Sequence, residues 1–264
     1  MLKEKEYLKT GQCIWCLKMK PHVTFNEEPH TISRQLGATN IGFDICDSCN
    51  HYFGTTDKTQ KYSMSIELAF KEIMGVMRLL LKNDLNEKTY KTFKSIYFDY
   101  YHTKKTIKIR KSFELRPNFL SNLTRQFKKG VYEIFLQEYH RLTVNGLDDK
   151  FNSIRRFVRD DIGNLPLYYL VPNGIYFIEE GINCPTFSFN EKVLSDINDF
   201  GFYIMIMFSN TFFLEVTPRA EITRDTFLRK ESRKFIGSGF VYSGLKEIKY
   251  ITDIDFTLRK LHQE

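Results

Sequence analysis

At 264 residues, with 42% hydrophobic and 15% aromatic side chains, the chain can bury a full core. This composition excludes a disordered tail, a fibre or a small domain held by disulfides. The net charge is +7, unevenly placed: residues 1–60 are neutral, with seven basic and seven acidic side chains, so the remainder carries the excess. The opening MLKEKEYLK lacks the apolar stretch of a secretory signal, so a cytoplasmic location is expected.

Cysteines dominate the first elements. Cys13 and Cys16 stand in CIWC, and Cys46 and Cys49 in CDSC. Paired Cys-x-x-Cys units in a reducing compartment suit a tetrahedral zinc ion, which stabilises a segment too small to build its own core. Cys184, alone in GINCPTF, reads as a core residue or spare thiol.

After the polar run FGTTDKTQ the pattern changes, which sets a boundary near residue 60. From Ser63 to Leu81 the residues Ile66, Phe70, Ile73, Met74, Met77, Leu80 and Leu81 recur at helical spacing. TIKIRKSF alternates like a half-buried strand that turns Lys108 and Arg110 outward, and Lys104, just before it, would share that face if the strand extends so far. Pro117 fits the first turn of a helix with Phe119, Leu120, Leu123, Phe127, Val131, Ile134 and Phe135 inward and Arg125, Lys128 and Lys129 on the opposite face. Between Thr103 and Gly130 nine basic residues oppose Glu114 alone. Lys104, Lys105, Lys108, Arg110, Arg125, Lys128 and Lys129 are therefore candidate contacts to nucleic-acid phosphate, with a plain solvated face as the alternative.

NGLDDKFNSIRRFVRDDIGN reads as a short helix between turns, and Arg155, Arg156 and Arg159 on it, like RKESRK at 229–234, are further phosphate candidates. Tyr97, Tyr100 and Tyr101 suit either base stacking or a core. Strand-like runs follow: PLYYLVP, GIYFIEE, TFSF, FYIMIMF and TFFLEVTP. The apolar run from Phe200 to Val216 is too short to span a bilayer and reads as a buried strand pair, so no membrane partner is expected. Helices first and strands later predict an α+β fold.

Between the cysteine pairs lie PHTISRQLG, Asn40 and then CDSCN followed by YFG. Residues 13–54 in this order resemble the HNH endonucleases of the ββα-metal fold, in the subgroup whose motif runs between two zinc knuckles. The resemblance implies a small zinc-stapled ββα-metal domain at 1–60 and a larger, basic α+β domain at 61–264. It implies hydrolysis of DNA phosphodiesters, with His30 as general base, Asn40 holding the loop or the imidazole, and Asn50 helping to bind catalytic magnesium or manganese. His51 beside it is a second potential ligand. Stand-alone proteins of this kind serve in restriction, homing or phage defence, often with a controlling protein partner.

The departure is Pro29, which stands where that family carries an acidic metal ligand. Proline has no donor in its side chain. Glu28 is one residue away and, by strand alternation, aims elsewhere unless the proline bends the chain. The alternative function is therefore a catalytically impaired, zinc-stapled module that binds nucleic acid or protein. Strand preference, oligomeric state and the trigger of activity leave no mark in the sequence.

Overall fold

The computed structural model describes residues 6–56, 63–81, 95–101, 106–112, 117–172, 185, 187–208, 210–237 and 241–254. Helices are α1 (Asp47–Gly54), α2 (Ile66–Leu81), α3 (Pro117–Thr143), α4 (Asn152–Val158), α5 (Glu191–Ser195) and α6 (Ala220–Ile236). Strands are β1 (Phe98–Tyr101), β2 (Thr106–Ile109), β3 (Leu167–Pro172), β4 (Phe202–Met207), β5 (Asn210–Glu215) and β6 (Tyr242–Glu247). The α+β expectation holds.

β1 and β2 form an antiparallel hairpin, and the other strands form an antiparallel sheet in the order β4-β5-β3-β6. The apolar run thus becomes the β4–β5 pair, with Phe202 opposite Glu215 and Met207 opposite Asn210. Every residue of β5 is buried because helices cover both sheet faces. On one face Phe212 meets Phe127 of α3 at 6.2 Å; on the other Phe227 of α6 lies over Phe202 at 4.5 Å and against Phe213 at 6.5 Å.

α3 is the centre of the molecule. Its predicted inner residues are buried, apart from the half-buried Leu120, and Phe127 stacks on Phe70 of α2. Gly130 makes that approach possible: a Cβ there would come within 2.9 Å of the Phe70 Cβ. Residues 127–140 are all buried, so α3 has no solvated face along that stretch. Lys128 and Lys129, expected outward, are consequently 4% and 1% exposed. On α2, Ile66, Phe70, Ile73, Met74 and Met77 are buried as expected; the side chains of Leu80 and Leu81 lie outside the described ones.

Other expectations need correction. Phe187–Phe189, the described part of the run read as strand TFSF, is not strand, and Asn190 after it caps α5 by accepting from the Val193 amide. GIYFIEE and Cys184 fall outside the described residues. Helix α6 and strand β6 were not expected; α6 sits between β5 and β6, so helices and strands are not strictly segregated along the chain.

Candidate functional site

The cysteine quartet is built from two turns. Gln12 bridges Met19, Cys13 donates its amide to the Lys18 carbonyl, and Leu17 takes a left-handed φ of 58° to close the first turn. Cys46 is the N-cap of α1, and the amides of Cys49 and Asn50 both donate to its carbonyl. The four Sγ atoms lie within 4.8 Å of one another, with Cys16 and Cys46 at 3.7 Å. A tetrahedral zinc with bonds of about 2.3 Å needs sulfurs about 3.8 Å apart, so the quartet fits that ion. Among the described residues this is the one grouping of three or more Cys, His, Asp or Glu ligand atoms close enough to share a metal.

The thiols already polarise one another. Hydrogen bonding from Cys13 holds Cys16 at about 6 and Cys46 well below the usual thiol range. The Cys46 amide approaches Cys13 Sγ at 3.5 Å, and Arg159 Nε donates to Cys49 Sγ at 3.3 Å while its guanidinium covers the Tyr52 ring at 4.3 Å. These donors stabilise thiolate charge around a bound cation.

His30 lies on a short antiparallel pairing with Ile41, reinforced by the Gly42 amide donating to the Pro29 carbonyl at 2.8 Å and the Thr31 amide to the Asn40 carbonyl at 3.2 Å. Pro29 is buried in this pairing and contributes its carbonyl. Glu28 does not aim away from the histidine. Alternate residues of an extended chain share a face, and Glu28 Oε1 stands 3.1 Å from His30 Nε2. Tyr7 donates its hydroxyl to Glu28 Oε2 at 2.7 Å, which with Arg34 holds that carboxyl below its usual range.

Arg34 opens a 3-10 turn, Arg34–Leu36, started by Ser33, whose Oγ accepts from the Gln35 amide, and ended by Gly37 at φ 85°. The turn brings the guanidinium back onto His30: Nε donates to His30 Nε2 at 2.6 Å, and Nη2 pairs with Glu28 Oε1. His30 Nδ1 is buried with no hydrogen-bond partner among the described residues. The imidazole lines a cleft with Thr31, Ser33, Glu67, Phe70 and Glu133.

Asn40 does not touch the imidazole in any hydrogen bond the described residues make. Its Nδ2 donates to Glu138 Oε1 at 3.0 Å, and Thr31 donates its hydroxyl to the same oxygen, so one buried carboxylate of α3 pins both sides of the His30 pairing. Arg141 Nε holds the other Glu138 oxygen at 2.8 Å. Asn50, on α1, donates to Glu27 Oε2 at 3.0 Å; Glu27 is placed by its own amide donating to Asp47 in the first turn of that helix. His51 next to it is exposed.

No family model, no curated protein and no solved structure matches the chain. Its function is therefore argued from the arrangement itself.

The expected phosphate contacts divide. Lys104 and Lys105 lie outside the described residues. Lys108 is exposed, 5.7 Å over the Tyr101 ring, and Arg110 pairs with Asp99 at 2.9 Å. Arg125, Lys128 and Lys129 instead clasp one loop: Arg125 Nε donates to Asp161 at 2.9 Å and Nη1 to the Gly163 carbonyl, Lys128 reaches Asn164 Oδ1 at 2.9 Å, and Lys129 pairs with Asp161. Arg155 is buried too, donating to the carbonyls of Ile14 at 2.7 Å and Asp148 at 3.1 Å. Arg156, Arg229 and Arg233 remain exposed, whereas Lys234 pairs with Glu231. Tyr97 is core, against Phe119 at 5.1 Å, and Tyr101 is exposed.

Sequence reasoning missed Arg34, Tyr7, Glu27 and Glu138. Arg34 carried a signal, standing one helical turn after His30; nothing in the sequence marks Tyr7 or Glu138.

Proposed function

We propose that this chain is a metal-dependent HNH endonuclease that hydrolyses DNA phosphodiester bonds. The observation that carries the reading is the union of His30 and Glu28, 3.1 Å apart, on a short antiparallel pairing beside a helix anchored by the cysteine quartet. The parts that support a ββα-metal reading are a paired segment bearing the histidine, here an isolated bridge and not full strands, then a helix bearing Asn50, with the quartet able to hold zinc.

In this reading His30 Nε2 takes a proton from the attacking water, a role suited to an imidazole because its basicity lies near neutrality. Glu28, taking the place of the missing acid at Pro29, stands 3.1 Å from the same nitrogen and would accept its hydrogen and stabilise the imidazolium once the proton has been taken. Asn40 acts at one remove, holding the loop through Glu138. Zinc would be held by Cys13, Cys16, Cys46 and Cys49 as a structural ion. Magnesium or manganese would find oxygen donors at Glu28 and Asn50, with water and DNA phosphate completing its shell as hard cations accept; His51 is a less suited nitrogen donor. Bound there, such an ion would neutralise charge developing on the phosphate. Lys108 and Arg110, with Lys104 and Lys105 beyond the described residues, supply the grip on DNA. Restriction or phage defence in the cytoplasm is the setting this reading implies.

Nicking of supercoiled plasmid by the purified protein with magnesium or manganese tests it. His30→Ala is expected to lower the rate about 100-fold or more; nicking that survives the substitution unchanged would sink the assignment.

A second reading is favoured by one observation. The Nε2 lone pair of His30 is already engaged by Arg34 at 2.6 Å, and Pro29 offers no ligand. On that basis the protein is a zinc-stapled module that binds nucleic acid without cutting. It then binds plasmid with a steep salt dependence and leaves it intact under every divalent ion.

A further inference from the structure

We propose that Arg34 is a phosphodiester-binding residue that releases His30 as it engages the substrate. The inference rests on the DNA-hydrolysing reading and deepens it.

Three observations point this way. First, Arg34 is the hydrogen-bond partner of both members of the His30–Glu28 pair, with Nε on His30 Nε2 at 2.6 Å and Nη2 on Glu28 Oε1. An imidazole nitrogen that accepts from a guanidinium has its lone pair occupied, so it cannot also take a proton from water. Second, the Arg34 side chain is 68% exposed, whereas the Glu28 side chain is 29% exposed and held from behind by Tyr7. Of the two partners the arginine is therefore the one free to turn outward. Third, a guanidinium carries five N–H donors in a planar fork, and two are engaged here. The fork matches a phosphate anion bidentately.

A solvent-exposed ion pair of this kind is weakly held, and a phosphodiester competes for the guanidinium with the same charge Glu28 offers. The exchange takes the guanidinium off Nε2, opening that lone pair to water, and leaves Glu28 3.1 Å away to stabilise the imidazolium that forms when Nε2 takes the proton. The contact between Arg34 and His30 in the free protein thus belongs to the resting site, and the second reading's main support becomes a step in the first. Its place on a turn fixed by Ser33 and Gly37 keeps the arginine within one side-chain length of the histidine in either state.

The test uses the full chain, zinc-loaded, and a 20-base-pair DNA duplex without added divalent ion, so that binding is read without cleavage. Arg34→Ala is expected to lower the slope of log affinity against log salt by about one, the loss of one phosphate contact. Arg34→Lys, which keeps the charge but not the fork, keeps that slope. In ¹⁵N spectra of the imidazoles, the His30 Nε2 signal of the wild type moves on adding duplex toward its position in free Arg34→Ala. That variant's own signal stays in place when duplex is added.

An unchanged salt slope in Arg34→Ala, or a His30 signal that ignores a bound duplex, overturns the role of Arg34 while leaving the nuclease standing. If the duplex moves the signal but wild-type protein never nicks plasmid, the nuclease reading alone falls. Absence of duplex binding overturns both.

Discussion

At the scale of single residues, charge on the page and charge in the molecule are different things. Lys128 belongs to the most basic stretch of the sequence, yet burial pulls its amine down to about 8 from an ordinary 10.5. The sign of the consequence follows from linkage. Between pH 8 and 10.5 the unfolded chain holds a proton that the native chain has shed, so stability rises with pH across that window, and below it the native state carries the full cost of a buried cation. Lys128→Met removes that cost along with the bond to Asn164. The variant is expected to be more stable than wild type at pH 7 by about 2 kcal/mol, an advantage that vanishes at pH ~9.5 and is reversed by about 1 kcal/mol at pH ~10.5, where only the lost bond remains, as urea unfolding at pH 7 and 10.5 would show. Its DNA salt slope should match wild type, since the amine faces Asn164 and not solvent. A variant that loses stability at pH 7, or flattens the salt slope, refutes this placement of the lysine.

At the scale of elements, α3 explains both what periodicity reveals and what it hides. The positions from Phe119 to Phe135 were legible because apolar residues at three-four spacing must face a core. The charged positions between them read as a solvated face, since a sequence does not say that a second body packs there. Here the N-terminal segment and the 161–164 loop cover that face, and Glu133, Glu138 and His140 are buried with Lys128 and Lys129. Helix α6 escaped notice for the opposite reason: Ala220, Phe227, Glu231 and Ser232 are its buried residues, too sparse a stripe to stand out. The candidate site was partly legible in the same sense. Cysteine spacing marked the quartet, and His30 followed from its position between the pairs, whereas the clamp from Glu138 joins positions about a hundred residues apart in sequence.

Glu133 makes the burial of that face measurable. Burial, with the nearby Glu67 carboxylate, holds its carboxyl well above the usual range, and Gln137 Nε2 donates to it at 2.8 Å while Gln137 Oε1 has no partner among the described residues. A protonated Glu133 carries the donor that this oxygen lacks. The native state therefore keeps a proton the unfolded chain gives up above pH 4.5, and stability falls as pH rises from there. Glu133→Gln keeps the shape and removes the titration. Its stability should equal wild type near pH 4 and exceed it progressively at higher pH, by at most about 1.4 kcal/mol per pH unit. Parallel thermal unfolding curves at every pH would place the carboxyl in water.

At the scale of the whole molecule, the question is whether residues 1–60 are a separable unit. The sequence reads as two domains because its texture changes near residue 60, but the contacts across that boundary are those of one core. Cys13, Ile14, Trp15, Cys46 and Cys49 belong to the same buried cluster as Phe127, Phe135 and Phe212. Polar ties run through it as well: Asp44 accepts from His140 Nε2 at 2.8 Å with both side chains fully buried, and His140 Nδ1 accepts from the Gly146 amide. Arg155 donates to the Ile14 carbonyl and Arg159 to Cys49. A segment tied this way cannot unfold without stripping buried charges of their partners, which costs about 3–5 kcal/mol for a buried pair broken on one side. Metal loss should then act on the entire chain. The zinc-loaded protein, with about one zinc per chain, is expected to unfold in one calorimetric transition. Excess chelator, or Cys46→Ser, should move that single transition down as a whole, because a cation bound only by the native state stabilises everything that folds with it. The competing outcome is specific: two transitions, of which only the lower responds to the metal, would make the cysteine-stapled segment an independent domain docked on a core that stands without it. Coincident loss of near-ultraviolet signal from Trp15, in the N-terminal segment, and far-ultraviolet signal from the helices would settle it for one cooperative molecule.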